Sequence, residues 1–181
     1  MSLKHWLAPA IAALCATSAI AAPADTVAQL RADLAGGESA TQVLTRWCAA
    51  RHVSPPVIRA VQVTGAAKPA GDQVRALLKA RPGQAIRYRQ VRLMCGDEIF
   101  SEADNWYLPD DLTDAMNRTL DSTDTSFGTV VQPLGFHRQT LGVTSDTGPD
   151  FVLHVRALLV MGKGVPFSLV AENYRRALVS P

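Results

Sequence analysis

The chain has 181 residues, 48% of them hydrophobic, and its formal net charge at pH 7 is only +2. This length suits one domain of ordinary size with its own core, and the composition is not that of a disordered or fibrous protein. The basic residues are scattered rather than grouped, so neither nucleic acid nor an anionic membrane surface is expected as a partner.

The first 21 residues predict a secretory signal peptide. Lys4 precedes an apolar, alanine-rich run at 7–20, and Ala19-Ile20-Ala21 places small residues at the spacing required for cleavage. The apolar run is short for a transmembrane span and ends at Pro23. We therefore expect a mature domain over 22–181 that is periplasmic or secreted, with no membrane association after cleavage.

Cleavage would leave two cysteines, Cys48 and Cys95. In an oxidising compartment such a pair commonly forms a disulfide, although two separately buried thiols would fit the same pattern. The chain has no C-x-x-C motif, so a redox-catalytic role has little support.

The beginning of the mature chain predicts two helices. Residues 25–35 carry apolar side chains at helical spacing, and Gly36-Gly37 ends that segment. Ser39-Ala40-Thr41-Gln42 then has the form of a capping box, which predicts the start of a second helix. The apolar face of this second helix consists of Ala40, Val43, Leu44, Trp47 and Cys48.

A strand is predicted at 57–64 and a short helix at 72–80. The stretch 86–109 follows and predicts two adjacent strands joined by the turn Gly96-Asp97. Because successive side chains of a strand point to opposite faces, Arg89 shares a face with largely apolar neighbours. These neighbours are Val91, Leu93 and Cys95. An arginine in this setting is either a charge that enters a core or a group that binds an anion.

The rest of the chain predicts one helix and several strands. The helix would begin near Pro109, and strands are predicted at 129–131, 136–143, 151–161 and 165–179. Gly162-Lys163-Gly164 predicts a hairpin turn between the last two strands. Because strands and helices do not alternate regularly, we predict one α+β domain, with helices packed on one face of an antiparallel sheet.

Glu172 is the second charge that the alternation places on a covered strand face, together with Ser168, Val170 and Tyr174. A buried carboxylate is costly unless it is paired or hydrogen-bonded. A structural ion pair between Arg89 and Glu172, or two solvated charges at strand ends, would explain both residues without a function. The histidines have no metal-ligand spacing and no Ser/His/Asp set can be singled out, so neither a metal site nor a nucleophilic catalytic set is expected.

The run at 88–98, YRQVRLMCGDE, which leads to Leu108-Pro109, resembles the chorismate pyruvate-lyase family. In that family a strand of the form R-x-V/I-x-L-x-C-x-G/D leads through a turn into a strand that ends at a proline. Three further stretches are similar to the family in the same order. They are Leu44-Thr45-Arg46, the segment from Leu120 through Ser126-Phe127-Gly128, and 162–172 with Pro166 and Glu172.

The resemblance implies an antiparallel sheet of about six strands and an internal site closed by flaps. It also implies the conversion of chorismate to 4-hydroxybenzoate and pyruvate without a cofactor. Arg89 would bind the ring carboxylate and Glu172 would meet the hydroxyl group at the opposite end. Leu44, Phe127 and Gly128 would line the pocket.

The chain departs from the family pattern in ways that leave alternatives open. One extra residue between Arg89 and Cys95 leaves Arg87, on the same face, as the alternative carboxylate anchor. Another extra residue lies between Pro166 and Glu172. Family enzymes work in the cytosol, where chorismate is made, whereas a signal peptide would export this chain. The alternative function is therefore a monomeric, non-catalytic periplasmic module that binds an aromatic or cyclic carboxylic acid.

Overall fold

The computed structural model of the chain describes residues 23–145, 148–162 and 164–180. The predicted signal peptide over 1–21, and Lys163 of the predicted hairpin turn, lie outside the described residues. Among the helices that are described, none has the length and apolar character needed to cross a membrane.

The described residues form one antiparallel sheet of six strands, which confirms the predicted α+β class. The strands are β1 Ile58–Gln62, β2 Arg87–Cys95, β3 Glu98–Tyr107, β4 His137–Ser145, β5 Phe151–Met161 and β6 Val165–Arg175. Their order across the sheet is β1-β2-β3-β6-β5-β4, so β3 and β6 are the central strands. The β2–β3 pair is the hairpin predicted at 86–109.

Five α-helices occur in the described part of the chain. They are α1 Pro23–Ala35, α2 Ala40–Ala50, α3 Asp72–Leu77, α4 Asp114–Ser122 and α5 Phe127–Val131. The predicted capping box at the start of α2 is confirmed, because the Gln42 backbone N–H donates to Ser39 Oγ and the Ser39 N–H donates to Gln42 Oε1.

Four of these helices cover the sheet face that carries Arg89. Helices α1 and α2 share a core with Val91 and Leu93 of β2, and α4 and α5 share a second core with Tyr107 and Leu159. The short helix α3 packs at one end of the opposite face, where Leu78, just after it, joins a cluster around Trp106. The Arg89 face is therefore the thickly covered interior of the domain.

Three predicted elements differ from the structure. The last strand, predicted at 165–179, ends at Arg175, and Arg176–Val179 form a 3-10 turn. The strand predicted at 129–131 is wrong, because these residues complete helix α5, and Val131 is fully buried in the core there. A run of two valines favours a strand only weakly, and tertiary packing overrides it. The helix predicted from Pro109 begins instead at Asp114, after a 3-10 turn, because Thr113 Oγ1 caps it by accepting the Met116 N–H.

Burial along β2 follows the predicted alternation: Arg89, Val91, Leu93 and Cys95 are buried, and the residues between them are exposed or half-buried. In the structure Cys48 and Cys95 form a disulfide. This bond ties helix α2 to the end of β2, so the helix above the Arg89 face is covalently attached to the sheet.

Candidate functional site

The interior sheet face carries several polar and charged side chains from four different strands. They are Arg89 of β2, Asn105 of β3, Arg138 of β4, and Ser168 and Glu172 of β6. Each of them is at most 7% exposed. Polar groups at this depth cost free energy unless they are hydrogen-bonded, and buried charges also need a counter-charge.

Glu172 has three donors around its carboxylate. Arg138 donates from Nη1 to Oε1 at 3.3 Å and from Nη2 to Oε2 at 2.5 Å, and the Tyr174 hydroxyl donates to Oε2 at 2.8 Å. Desolvation acts to lower the pKa of Arg138, but Glu172 and Tyr174 together, through their charges and hydrogen bonds, outweigh it and raise that pKa above its ordinary value. The ion pair between Arg89 and Glu172 that the sequence allowed is therefore wrong, because Arg138 occupies that place.

The position of Glu172 also explains how the chain accommodates its extra residue after Pro166. Val160 of β5 pairs with Pro166, whereas the adjacent Leu159 pairs with Ser168, so Phe167 forms a bulge in β6. Beyond the bulge the ladder is regular as far as Glu172, which lies opposite Ala103 of β3. The bulge thus absorbs one residue before the charged position.

Arg89 differs from Arg138 in having no ion-pair partner among the described residues. Its Nε and Nη2 are buried and have no hydrogen-bond partner in the described part of the chain. Burial lowers the pKa of Arg89, and Tyr107, Asp121 and Asp124 offset this effect only in part. The side chain is more than nine-tenths buried. A buried guanidinium with unsatisfied N–H groups is chemically suited to bind an anion.

Arg87, the alternative anchor, lies in a different environment. It is exposed at the start of β2, and its Nη1 donates to Asp121 at 2.9 Å. Its charge is thus already compensated and solvated, and a salt bridge of this kind contributes little free energy. Between the two arginines, the geometry favours Arg89 as the anion-binding group.

A small cavity of about 40 Å³ lies between this sheet face and the helices α2 and α5. Arg138 and Glu172 form part of its wall, and so does Asn105, which lies directly opposite Arg89 in the β2–β3 ladder. The other walls are mainly apolar and consist of Ala40, Val91, Leu93, Ala103, Phe127, Leu159 and Val170. A cavity of this volume holds about one or two water molecules, so a ring-sized ligand requires the helices to separate.

An open cleft of about 720 Å³ lies on the outer side of the same two helices. Ser39, Thr41 and Gly128 line both the cleft and the inner cavity, and we call these three residues the neck. Thr41 Oγ1 donates to Ser126 Oγ at 3.1 Å across the α2–α5 contact. The charges of the outer cleft, Glu38 and Arg46, are exposed and already paired. The cleft thus adjoins the inner cavity at the neck, and the inner cavity, which has the buried ion pair in its wall, is the candidate site.

Gly128 has a steric role at the neck. A Cβ atom at this position would lie 2.9 Å from Thr41 Oγ1 and 3.1 Å from Ser39 Cβ, which is closer than side chains pack. Phe127 beside it lines the cavity, whereas Leu44 is fully buried in the core that α2 forms with β2.

Sequence reasoning missed Arg138 and Asn105. Alternation within the predicted strand 136–143 could place Arg138 on one face, but only the strand order brings it to Glu172. Within the described ranges, no group of three or more His, Cys, Asp or Glu side chains could hold a metal ion. The candidate site is thus a mainly apolar cavity with the Arg138–Glu172 pair in its wall, and Arg89 lies on the same sheet face, opposite Asn105 of that wall.

No family model matches the chain. It is 42% identical over 169 residues to the uncharacterized protein y4mC of Sinorhizobium fredii, in a match that covers 80% of this chain and 71% of that protein. The effector domain of PhnF from Mycobacterium smegmatis superposes with a TM-score of 0.55 over 76% of this chain and 88% of that domain. The crystal structure of PhnF itself gives 0.57 over 77% of this chain, and the match covers 64% of that chain. At 10% identity both superpositions show a shared fold, consistent with the chorismate lyase-like fold that the sequence implies.

Proposed function

Because the chain belongs to the family of the Sinorhizobium fredii protein y4mC and shares its fold with the effector domain of PhnF, we propose that it binds a small carboxylic acid in its interior. The observation that carries this proposal is the buried guanidinium of Arg89, which has no partner among the described residues. A ligand carboxylate would supply both the missing counter-charge and the missing hydrogen-bond acceptors.

The chemistry of the guanidinium group favours a carboxylate at this position. Its planar fork of N–H donors matches the two oxygens of a carboxylate in a bidentate pair, and such charge-assisted bonds are stronger than neutral ones. The apolar walls of the neighbouring cavity suit a ring or a compact hydrocarbon body. An aromatic or cyclic carboxylic acid combines these two features.

The cavity wall also offers a hydrogen-bond acceptor, the carboxylate of Glu172. Although Glu172 already receives three hydrogen bonds, a carboxylate has about four lone-pair positions, so one remains for a donor on the ligand. A hydroxyl group placed across the ring from the carboxylate would reach this acceptor. 4-Hydroxybenzoate has this arrangement and is the first ligand to test.

A second candidate function is the elimination of pyruvate from chorismate to give 4-hydroxybenzoate. It is favoured by the family resemblance and by the presence of Arg89 and Glu172 on one water-poor interior face. In this function Arg89 would hold the ring carboxylate and Glu172 would contact the ring oxygen. The enzyme would act by holding chorismate in a reactive conformation, with no nucleophile involved.

The two functions can be separated with one protein sample. Calorimetric titration and thermal unfolding with 4-hydroxybenzoate test binding, and a ligand at 100 times its Kd should stabilise the protein by about 2.7 kcal/mol. Incubation with chorismate, followed by a coupled pyruvate assay, tests turnover above the uncatalysed background. Binding without pyruvate release supports the binding domain, and pyruvate release that Arg89→Ala and Glu172→Ala abolish supports the lyase. If neither occurs, both functions are wrong.

We also propose that the domain works outside the cytoplasm. The support is the sequence of residues 1–21, together with the disulfide between Cys48 and Cys95, a bond that persists in oxidising compartments. Expression of the full chain with a C-terminal tag in a Gram-negative host tests this. We expect a periplasmic product whose mass corresponds to a chain that starts at Ala22. An unprocessed cytoplasmic product would contradict the proposal.

A further inference from the structure

The interior of the domain holds three charges on one sheet face, and only two of them neutralise each other. Arg138 and Glu172 form a bidentate pair, with side chains 1% and 5% exposed. Arg89, on the same face, has no counter-ion within the described residues. The cavity wall therefore contains a neutral ion pair, and next to its Asn105, across the β2–β3 ladder, lies a cation that has no ion-pair partner among the described residues.

We infer that this arrangement selects ligands with a single negative charge, and that the Arg138–Glu172 pair is the specificity determinant that rejects a second one. The inference rests on the proposed carboxylate-binding function and narrows it to compact monocarboxylic acids. One ligand carboxylate at Arg89 makes the interior electrically neutral. A second carboxylate would leave a net negative charge in a region from which water is largely excluded.

The geometry around Glu172 explains why a second carboxylate has no favourable position there. The cavity wall includes the Glu172 carboxylate, which would repel it. Both terminal nitrogens of Arg138 already donate to Glu172, and its Nε is the one Arg138 nitrogen left buried without a described partner. A single N–H cannot compensate a full charge, whereas a hydroxyl or amide group carries no charge to compensate.

Two ligands of nearly equal shape isolate the effect of charge. Terephthalate and 4-carbamoylbenzoate share the ring and the first carboxylate, but the second substituent is an anion in one and a neutral amide in the other. We expect the purified mature protein to bind 4-carbamoylbenzoate at least about 100-fold more tightly than terephthalate, since like charges a few ångströms apart repel strongly at low dielectric. Calorimetric titration at pH 7 in about 0.15 M salt measures both affinities. This ionic strength screens exposed surface charges but affects buried charges much less.

The substitution Glu172→Gln tests the role of the ion pair directly. It preserves the shape of the side chain but removes the negative charge, so Arg138 becomes a second uncompensated cation. The ratio of the two affinities should fall by at least about tenfold, and terephthalate should become the favoured ligand if Arg138 is fully released. An unchanged ratio in this variant would overturn the inference.

The wild-type comparison decides the question even if Glu172→Gln does not fold. Equal binding of terephthalate and 4-carbamoylbenzoate, within about threefold, overturns charge selection but leaves the carboxylate site intact. A complete absence of binding by benzoate, 4-hydroxybenzoate and 4-carbamoylbenzoate overturns the proposed function and this inference with it. Because chorismate carries two carboxylates, selection for one charge would favour the binding domain over the lyase.

Discussion

The two buried arginines of the interior face provide a direct test of the proposed site. Arg89 and Arg138 are 7% and 5% exposed, and both extend from strands onto the same face. Arg138 is paired with Glu172, whereas Arg89 has no partner in the described part of the chain. Replacing each of them by methionine, which keeps an apolar stem of similar length, should therefore change stability in opposite directions.

We expect Arg89→Met to stabilise the ligand-free protein. The substitution removes a desolvated charge and buried donors, and an unsatisfied buried donor costs about 1–3 kcal/mol. For a domain of this size 1 kcal/mol corresponds to about 2–4 °C in Tm, so the Tm should rise by roughly 2–12 °C. The stabilisation of the wild type by 4-hydroxybenzoate should disappear in this variant.

Arg138→Met is the matched control. It leaves the Glu172 carboxylate buried without its counter-charge, which typically costs about 3–5 kcal/mol. Its Tm should therefore fall by roughly 6–20 °C. Thermal unfolding followed by circular dichroism, with and without 4-hydroxybenzoate, measures all three proteins. If Arg89→Met lowers the Tm as Arg138→Met does and still responds to the ligand, then Arg89 is a structural residue and the reasoning is refuted.

Three further predictions concern the neck, the disulfide and the buried hydroxyl. Gly128→Ala should destabilise the fold by about 1–3 kcal/mol because no space exists for a Cβ there, whereas Gly142→Ala, with nothing near its Cβ position, should not. Mature protein that is denatured but not reduced should show no free thiol, and reduction of Cys48–Cys95, which are 47 residues apart, should cost about 4 kcal/mol; two reactive thiols would contradict the bond. Burial raises the pKa of Tyr174, so the folded state keeps a proton that the unfolded chain loses above about pH 10, and stability should fall as the pH rises. Tyr174→Phe should make this decline shallower in urea titrations, and an identical slope would contradict the argument.

The part of the fold that the sequence predicts well depends on local geometry. The two-residue period of a strand is fixed by the backbone, so the alternation around Arg89 places the correct side chains inside. The capping box at Ser39 identifies the start of α2 because its hydrogen bonds join residues three apart. Residues 129–131 are the counter-example, since a segment this short has no periodicity of its own and takes the structure that packing imposes.

The pairing of charges lies beyond such reasoning because it depends on strand order. Glu172 is on β6 and Arg138 is on β4, with β5 between them, so their contact follows from a topology in which β6 also pairs with β3. The alternation of side chains along a strand assigns each one to a face of the sheet. It does not show which strand lies beside it or which residue is its neighbour there. When only the face of each side chain is known, Arg89 is as reasonable a partner for Glu172 as Arg138 is.

The same strand order leaves Arg89 without an ion-pair partner among the described residues. Had Glu172 paired with Arg89, folding would account for both charges and no ligand would be required. Because Arg138 satisfies Glu172 instead, Arg89 remains a buried cation that weakens the ligand-free fold, and the charges around it offset its desolvation only in part. Such a charge is best understood as part of a complex in which an anion completes it. The missing partner of Arg89 is thus stronger support for a binding site than its position on an apolar strand face.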